Sequence, residues 1–288
     1  MVDFSKYQGL GNDFIVFDGY QKDLPELIRL GDPSYIKRIC DRRFGIGSDG
    51  IILLLASSKY AIKMKIFNSD GTQAEMCGNG IRCLVRFLLD NNDINIDEDL
   101  TIETLAGPIR TKINKNKEIT VDMGLPLFKP SMIPTTLSIN DYGIPEESIV
   151  LEGETYEIYA AGMGNPHMII FVDDLTKLDL EELGQKLENH HSFPSKTNVH
   201  FVHINSRTDL DVIVWERGCG KTLACGTGAC AVAAVSNKLG ICDKNVTVNL
   251  PGGTLAISWP DPTSNIYMTG AAEYVFSGKI NIDSFRLS

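Results

Sequence analysis

Two short clusters carry the reactive side chains of this sequence. Cys77-Gly78-Asn79-Gly80 and Cys225-Gly226-Thr227-Gly228 each set a thiol and two glycines at the head of an apolar run, half a chain apart in 288 residues. The first N–H groups of a helix lack internal partners and carry the positive end of its dipole. A cysteine at such a start is therefore biased towards thiolate, the reactive form, and the glycines let a ligand approach the bare N–H groups. Two such ends brought face to face would hold a small anion with a sulfur on either side. For a single cysteine, a buried helix cap is the better reading; for two in register, the chemical one is.

The register extends to the elements that must position the thiols. Ile62-Lys63-Met64-Lys65-Ile66-Phe67-Asn68 and Leu210-Asp211-Val212-Ile213-Val214-Trp215-Glu216 alternate as strands do, and Asn68 and Glu216 stand equally far before their cysteines. Ile81, Leu84, Val85, Leu88 and Leu89 mark one helical face, whereas residues 229–235 are apolar all round, as in an enclosed helix. Residues 100–105 and 119–123 read as strands, mirrored by 246–250 and 254–259. Upstream, residues 4–17 read as a hairpin around Gly11-Asn12, matched by strands flanking Gly164-Asn165-Pro166-His167. Asp32 before Pro33, and Asp179 before Leu180, predict capped helices. The expected fold is α/β (α+β), with two pseudo-symmetric lobes from an internal duplication, each a curved, mostly antiparallel sheet wrapped around a central helix. Pro126, Pro130, Pro134 and Pro145 interrupt the pattern, so the lobes are expected at 1–125 and 126–270, with 271–288 returning to the first.

Several motifs taken together are specific. Gly9-Leu10-Gly11-Asn12-Asp13-Phe14, Phe67-Asn68-Ser69-Asp70-Gly71, Cys77-Gly78-Asn79-Gly80-Ile81-Arg82-Cys83, Gly164-Asn165-Pro166-His167, Trp215-Glu216-Arg217-Gly218 and Ala224-Cys225-Gly226-Thr227-Gly228-Ala229-Cys230 run in order through the chain. In this set the sequence resembles the diaminopimelate epimerase family, cofactor-independent enzymes that interconvert LL- and meso-diaminopimelate on the route to lysine and peptidoglycan. The resemblance implies that Cys77 and Cys225 work as a thiolate and thiol pair that exchange roles with the direction of reaction. It implies that Gly78, Asn79, Gly226 and Thr227 cradle the α-carboxylate, that Glu216 holds the ammonium group, and that Asn12, Asn68, Asn165, Asn198 and Arg217 bind substrate, largely its distal end. His167 and Glu216 match residues that adjust the thiol environment. Some relatives carry glutamine where this chain has Gly50, so one side-chain contact is missing.

Composition narrows the alternatives. The chain is 43% apolar, enough for real cores, and its formal net charge of -10 with no basic block argues against nucleic acid. The longest aliphatic run, residues 51–56, is too short for a bilayer span, and the polar N-terminus lacks a signal peptide's apolar core. Seven cysteines fit a reduced cytoplasm, where Asn245-Val246-Thr247 would be an idle glycosylation motif. Gly45-Ile46-Gly47-Ser48-Asp49-Gly50 matches a dinucleotide fingerprint in letters, but its helix precedes and its strand follows, the reverse of the required order. No cofactor is expected, and no metal, because Cys219, Cys225 and Cys230 lack C-x-x-C pairs. The expected partner is diaminopimelate alone; a homodimer stays open. His190, His191, His200 and His203 are read as surface or packing residues. A proline racemase or hydroxyproline epimerase shares the paired-cysteine plan but needs no Arg217 or asparagine cluster. A thiol redox protein, the reading from a different class, would use C-x-x-C.

Overall fold

Period-two alternation becomes strand in both halves of the chain. The computed structural model describes residues 1–91, 93–96, 99–151 and 153–281. It separates into two compact units, one of Met1–Val121 with the chain from Gly270 onward, the other Asp122–Thr269.

In the first unit, β1 (Val2–Gly9) and β2 (Asn12–Asp18) form the expected hairpin. The short α1 (Glu26–Leu30) and then α2 (Pro33–Cys40) lead to β3 (Gly50–Leu55), which lies parallel to β2. Asp32 caps α2 by accepting from the N–H groups of Ser34 and Tyr35, and the buried Ile36 and Ile39 join Phe17, Ile51, Leu53 and Phe67 in one core. β4 (Ile62–Asn68) runs antiparallel to β3 and pairs with β5 (Gln73–Ala74). Next come α3 (Gly78–Asp90), β6 (Asp99–Thr104), β7 (Gly107–Ile113) and β8 (Ile119–Asp122), with β6 parallel to β4.

The second unit opens on β9 (Ser138–Ile139), β10 (Pro145–Leu151) and β11 (Glu154–Gly162), and then repeats the plan. β12 (Pro166–Phe171) is antiparallel to β11; α4 (Leu180–Glu188), capped by Asp179, crosses to β13 (Asn198–Ser206), parallel to β12. β14 (Asp209–Glu216) is antiparallel to β13 and pairs with β15 (Gly220–Thr222). After α5 (Gly226–Lys238), β16 (Asn245–Leu250) lies parallel to β14, followed by β17 (Gly253–Ser258) and β18 (Tyr267–Gly270). β19 (Glu273–Ile280) belongs to the first unit and pairs antiparallel with β1; residues 282–288 of the expected return lie outside the described residues.

The central helices match in length, 13 residues each. α3 packs on β1, β2, β3 and β19, and α5 on β11, β12, β13, β16 and β17. One mirrored strand was misassigned: the partner of β6 is β7, so β17 corresponds to β7 and not to residues 119–123. Gly107 and Pro108 at the head of β7, with exposed polar residues alternating along it, hide it from a hydrophobicity reading.

Candidate active site

Both cysteines occupy the N-cap position of a central helix in extended backbone, Cys77 at φ -146 and Cys225 at φ -125. At Cys77 the first turn folds over the sulfur, with Gly80 N donating to Sγ at 3.4 Å. Asn12 reaches the same place from the hairpin turn: its Oδ1 lies 3.9 Å from Cys77 Sγ and accepts from Asn79 Nδ2 at 3.3 Å. The other end of the Asn12 amide donates to Asp49 Oδ2 at 2.9 Å. Asn79 is fixed from behind by Arg82, which is fully buried and donates through Nη2 to Asn79 Oδ1 at 2.9 Å and through Nε to Ala271 O at 3.2 Å. Gly78 is buried. Asn68 ends β4 on the surface and donates to Thr72 Oγ1, which ties it to its own turn. Gly50 faces Asn68 across β3 and β4, and a Cβ there would run into Phe67 O, so the glycine is a packing requirement in this chain.

The second cysteine is more deeply buried than the first. Cys225 is buried, with Sγ 3.5 Å from Thr227 Oγ1, and Gly226 is buried beside it. Burial, then the charge of Glu216, raise the Cys225 thiol well above its ordinary value and outweigh the Thr227 hydroxyl. The expected bias towards thiolate therefore fails here: the helix dipole acts locally, whereas loss of water and a neighbouring carboxylate both favour S–H. Glu216 Oε1 accepts from Thr222 Oγ1 at 2.5 Å.

His167 and His200 form a fully buried pair, Nδ1 of His167 to Nε2 of His200 at 2.9 Å. His167 Nε2 meets Asn165 Oδ1 at 2.8 Å. Burial, then His200 and Arg217, push His167 well below the usual histidine range, and burial alone takes His200 to about 3; both rings are neutral. Asn198 is buried and spans two segments, donating to Pro166 O at 2.9 Å and accepting the Arg217 N–H at 3.0 Å. The Arg217 side chain is exposed and donates to Ser195 O at 3.1 Å.

Two contributors were missed in the sequence. His200, read as a surface or packing residue, is bonded to His167; its place on β13 two residues after Asn198 was the available signal. Glu188, at the end of α4, accepts from Trp215 Nε1 at 2.8 Å and Gly218 N at 3.1 Å and so braces the Trp215-to-Gly218 corner. Burial raises its pKa, but those donors and Lys196 outweigh it and keep Glu188 ionised. His167, His200 and Cys225 also bring potential metal-ligand atoms within 4.8 Å of one another, but the histidine nitrogens that face each other are already engaged.

Comparison with known proteins gives matches over nearly the whole chain. The model of the family described as diaminopimelate epimerase matches residues 4–129 and 159–275. A diaminopimelate epimerase of Prochlorococcus marinus (strain NATL1A) is 52% identical over 280 residues, covering 97% of this chain and 99% of that one. One from Carboxydothermus hydrogenoformans is 47% identical, covering 96% and 99%. In fold the chain is like a hydroxyproline epimerase from Agrobacterium vitis, with a TM-score of 0.67 over 96% of this chain and 91% of that one, at 16% identity. With near-complete coverage at about half identity, this chain belongs to the diaminopimelate epimerase family.

Proposed function

We propose that the chain epimerises LL-2,6-diaminopimelate to meso-diaminopimelate by a two-base mechanism without a cofactor, in lysine and peptidoglycan biosynthesis. The observation that carries this is the placement of Cys77 and Cys225 at the same N-cap position of duplicated helices. Inverting a stereocentre requires a base on one face of the α-carbon and an acid on the other. One cysteine as thiolate takes the α-proton; the other, as thiol, delivers its own, and the roles are then reversed. The N–H groups behind Gly78, Asn79, Gly226 and Thr227 stabilise charge as it moves onto the carboxylate oxygens.

Glu216 has two tasks in this scheme. In the ligand-free protein its charge helps keep Cys225 protonated, which suits Cys225 to the donor role. A substrate ammonium taken up by Glu216 would cancel that charge and ease the return of Cys225 to thiolate. Asn12, Asn68, Asn165 and the Arg217 guanidinium are the proposed substrate contacts, with Asn198 acting by holding the Arg217 backbone. The proposal assigns the chain to the cytoplasm, where thiols stay reduced, and carries a homodimer from the family resemblance alone, for sedimentation equilibrium to decide. Among the described residues no helix is long and apolar enough to cross a membrane.

Solvent deuterium incorporation into both diaminopimelate isomers tests the mechanism. Cys77→Ser and Cys225→Ser each retain shape but replace a thiol with a much weaker acid, so epimerisation should fall by orders of magnitude in both directions while folding persists. Near wild-type turnover by either variant would end the two-base reading.

A further inference from the structure

The histidine pair has a direction, and that direction sets which end of Asn165 is available. His200 lies with the Nδ1–Cε1–Nε2 edge of its ring against Gly228 in the first turn of α5, so close that a Cβ at 228 would collide with Cε1. Its Nε2 faces His167 Nδ1, and its Nδ1 is buried with no hydrogen-bond partner among the described residues. Two neutral imidazoles in line allow two arrangements. In one, His200 Nε2–H donates to His167 Nδ1, His167 Nε2–H donates to Asn165 Oδ1, and the unpartnered His200 Nδ1 is a bare lone pair. In the other, every bond reverses: the Asn165 amide turns over, and His200 Nδ1 becomes a buried N–H with nothing to receive it.

Orphaned buried N–H groups are rarer in proteins than under-used acceptors. The position of the ring at the start of α5 adds to this preference, because the positive end of the helix dipole favours a lone pair over an N–H. Both arguments select the first arrangement, which agrees with Oδ1 facing His167.

We propose that His200, a residue outside the motifs that carry the family resemblance, is a positioning residue that locks His167 in its Nε2–H tautomer and thereby leaves Asn165 Nδ2 as a donor for a substrate carboxylate. The inference rests on the epimerase reading for the identity of the ligand, but not for the tautomers. It also explains why the pair is neutral and buried: an imidazolium at either ring would erase the direction.

Histidine-selective 15N spectra of the wild-type protein give the first test. Both rings should show Nε2–H and bare Nδ1; an Nδ1–H signal from either overturns the proposal. The second test is steady-state kinetics with His200→Gln, whose side-chain amide can donate from about the position of Nε2, and His200→Leu, which cannot. Loss of one charge-assisted hydrogen bond to a carboxylate corresponds to roughly a 10- to 100-fold rise in KM for His200→Leu, with a smaller change in kcat and partial rescue in His200→Gln. Equal KM in Leu and Gln variants that fold would refute the positioning role. If His200→Leu fails to fold, the wild-type spectrum still decides. A wild-type protein without epimerase activity but with the stated tautomers would overturn the functional reading and leave this one standing.

Discussion

Asn12 and Asn165 occupy the same place in the duplicated plan and do opposite things with it. Each follows a left-handed glycine, Gly11 at φ 82 and Gly164 at φ 85, where the chain turns into a strand. Asn12 spends its amino end on Asp49 and turns its carbonyl oxygen to Cys77 and Asn79. Asn165 spends its carbonyl on His167, leaving its amino end. The backbone was copied, while the polar supports behind it diverged: a salt-bridged cluster of Lys6, Asp13, Arg42 and Asp49 in one unit, and two neutral histidines in the other. The same contrast holds for the helices. α3 carries a buried Arg82 that ties it to Ala271, and in the repeat its counterpart on α5 is the thiol Cys230. Equal backbone geometry thus supports unequal electrostatics, which suits the opposite protonation tasks proposed for the two thiols.

The largest effect that would break the comparison is at the third helical residue. Gly80→Ala places its Cβ 2.8 Å from Ile66 Cδ1, the end of a flexible side chain, whereas Gly228→Ala strikes the His200 ring, which is hydrogen-bonded and enclosed. A helical Gly→Ala change gains about 1 kcal/mol of propensity, so Gly80→Ala should be near neutral. Gly228→Ala should cost about 3 kcal/mol as overpacking, measured by urea unfolding. In a His200→Ala background the added methyl should be largely tolerated. Equal stability of the two alanine variants would show that the rings and the helix are not locked as described.

Thiol chemistry sharpens the same comparison. Cys225 is buried and sits beside Glu216, while Cys77 is part-exposed and receives the Gly80 N–H. Iodoacetamide should therefore modify Cys77 faster than Cys225 near neutral pH, as followed by peptide mass mapping. Glu216→Gln removes the charge that favours S–H, so labelling of Cys225 should rise severalfold as more thiolate forms. If the variant slows Cys225 labelling, the carboxylate is not what holds that proton.

Local signals were readable and long-range polar partners were not. The Asp32 and Asp179 caps, the hairpin at Gly11-Asn12 and the helices after both cysteines rest on neighbours within a few positions. The burial of Arg82, the histidine pair and the Glu188 brace depend on partners brought in from other elements, as in Arg82 with Ala271 and Glu188 with Trp215. No window of the sequence contains such a pairing. The thiolate expectation for Cys225 failed for the same reason, because a rule about one helix end could not register Glu216 and the surrounding core. β7 escapes the sequence reading because its leading glycine and proline resemble turn residues and mask the alternation that follows them.

The smallest expected effect concerns the ionic backing of Asn12, for which the second unit has no counterpart: Pro166 stands where Asp13 does. Asp13 accepts from Lys6 at 2.7 Å and from Arg42 at 2.7 and 3.1 Å. Burial alone would raise its pKa, but the Arg42 and Lys6 hydrogen bonds outweigh it and bring Asp13 down to about 2. Because the folded value lies below the unfolded one, the resulting stability is complete above the ordinary carboxylate range and is lost as pH falls towards 2. Asp13→Asn should cost about 1–2 kcal/mol near neutral pH, allowing for solvent screening of the exposed Arg42, and almost nothing at pH 2. Unfolding midpoints followed by circular dichroism at successive pH values would therefore converge for wild type and variant as acid is added. Parallel curves that keep their separation down to pH 2 would mean that the cluster acts by packing and not by charge. In that case the electrostatic half of the contrast between Asn12 and Asn165 would have to be withdrawn.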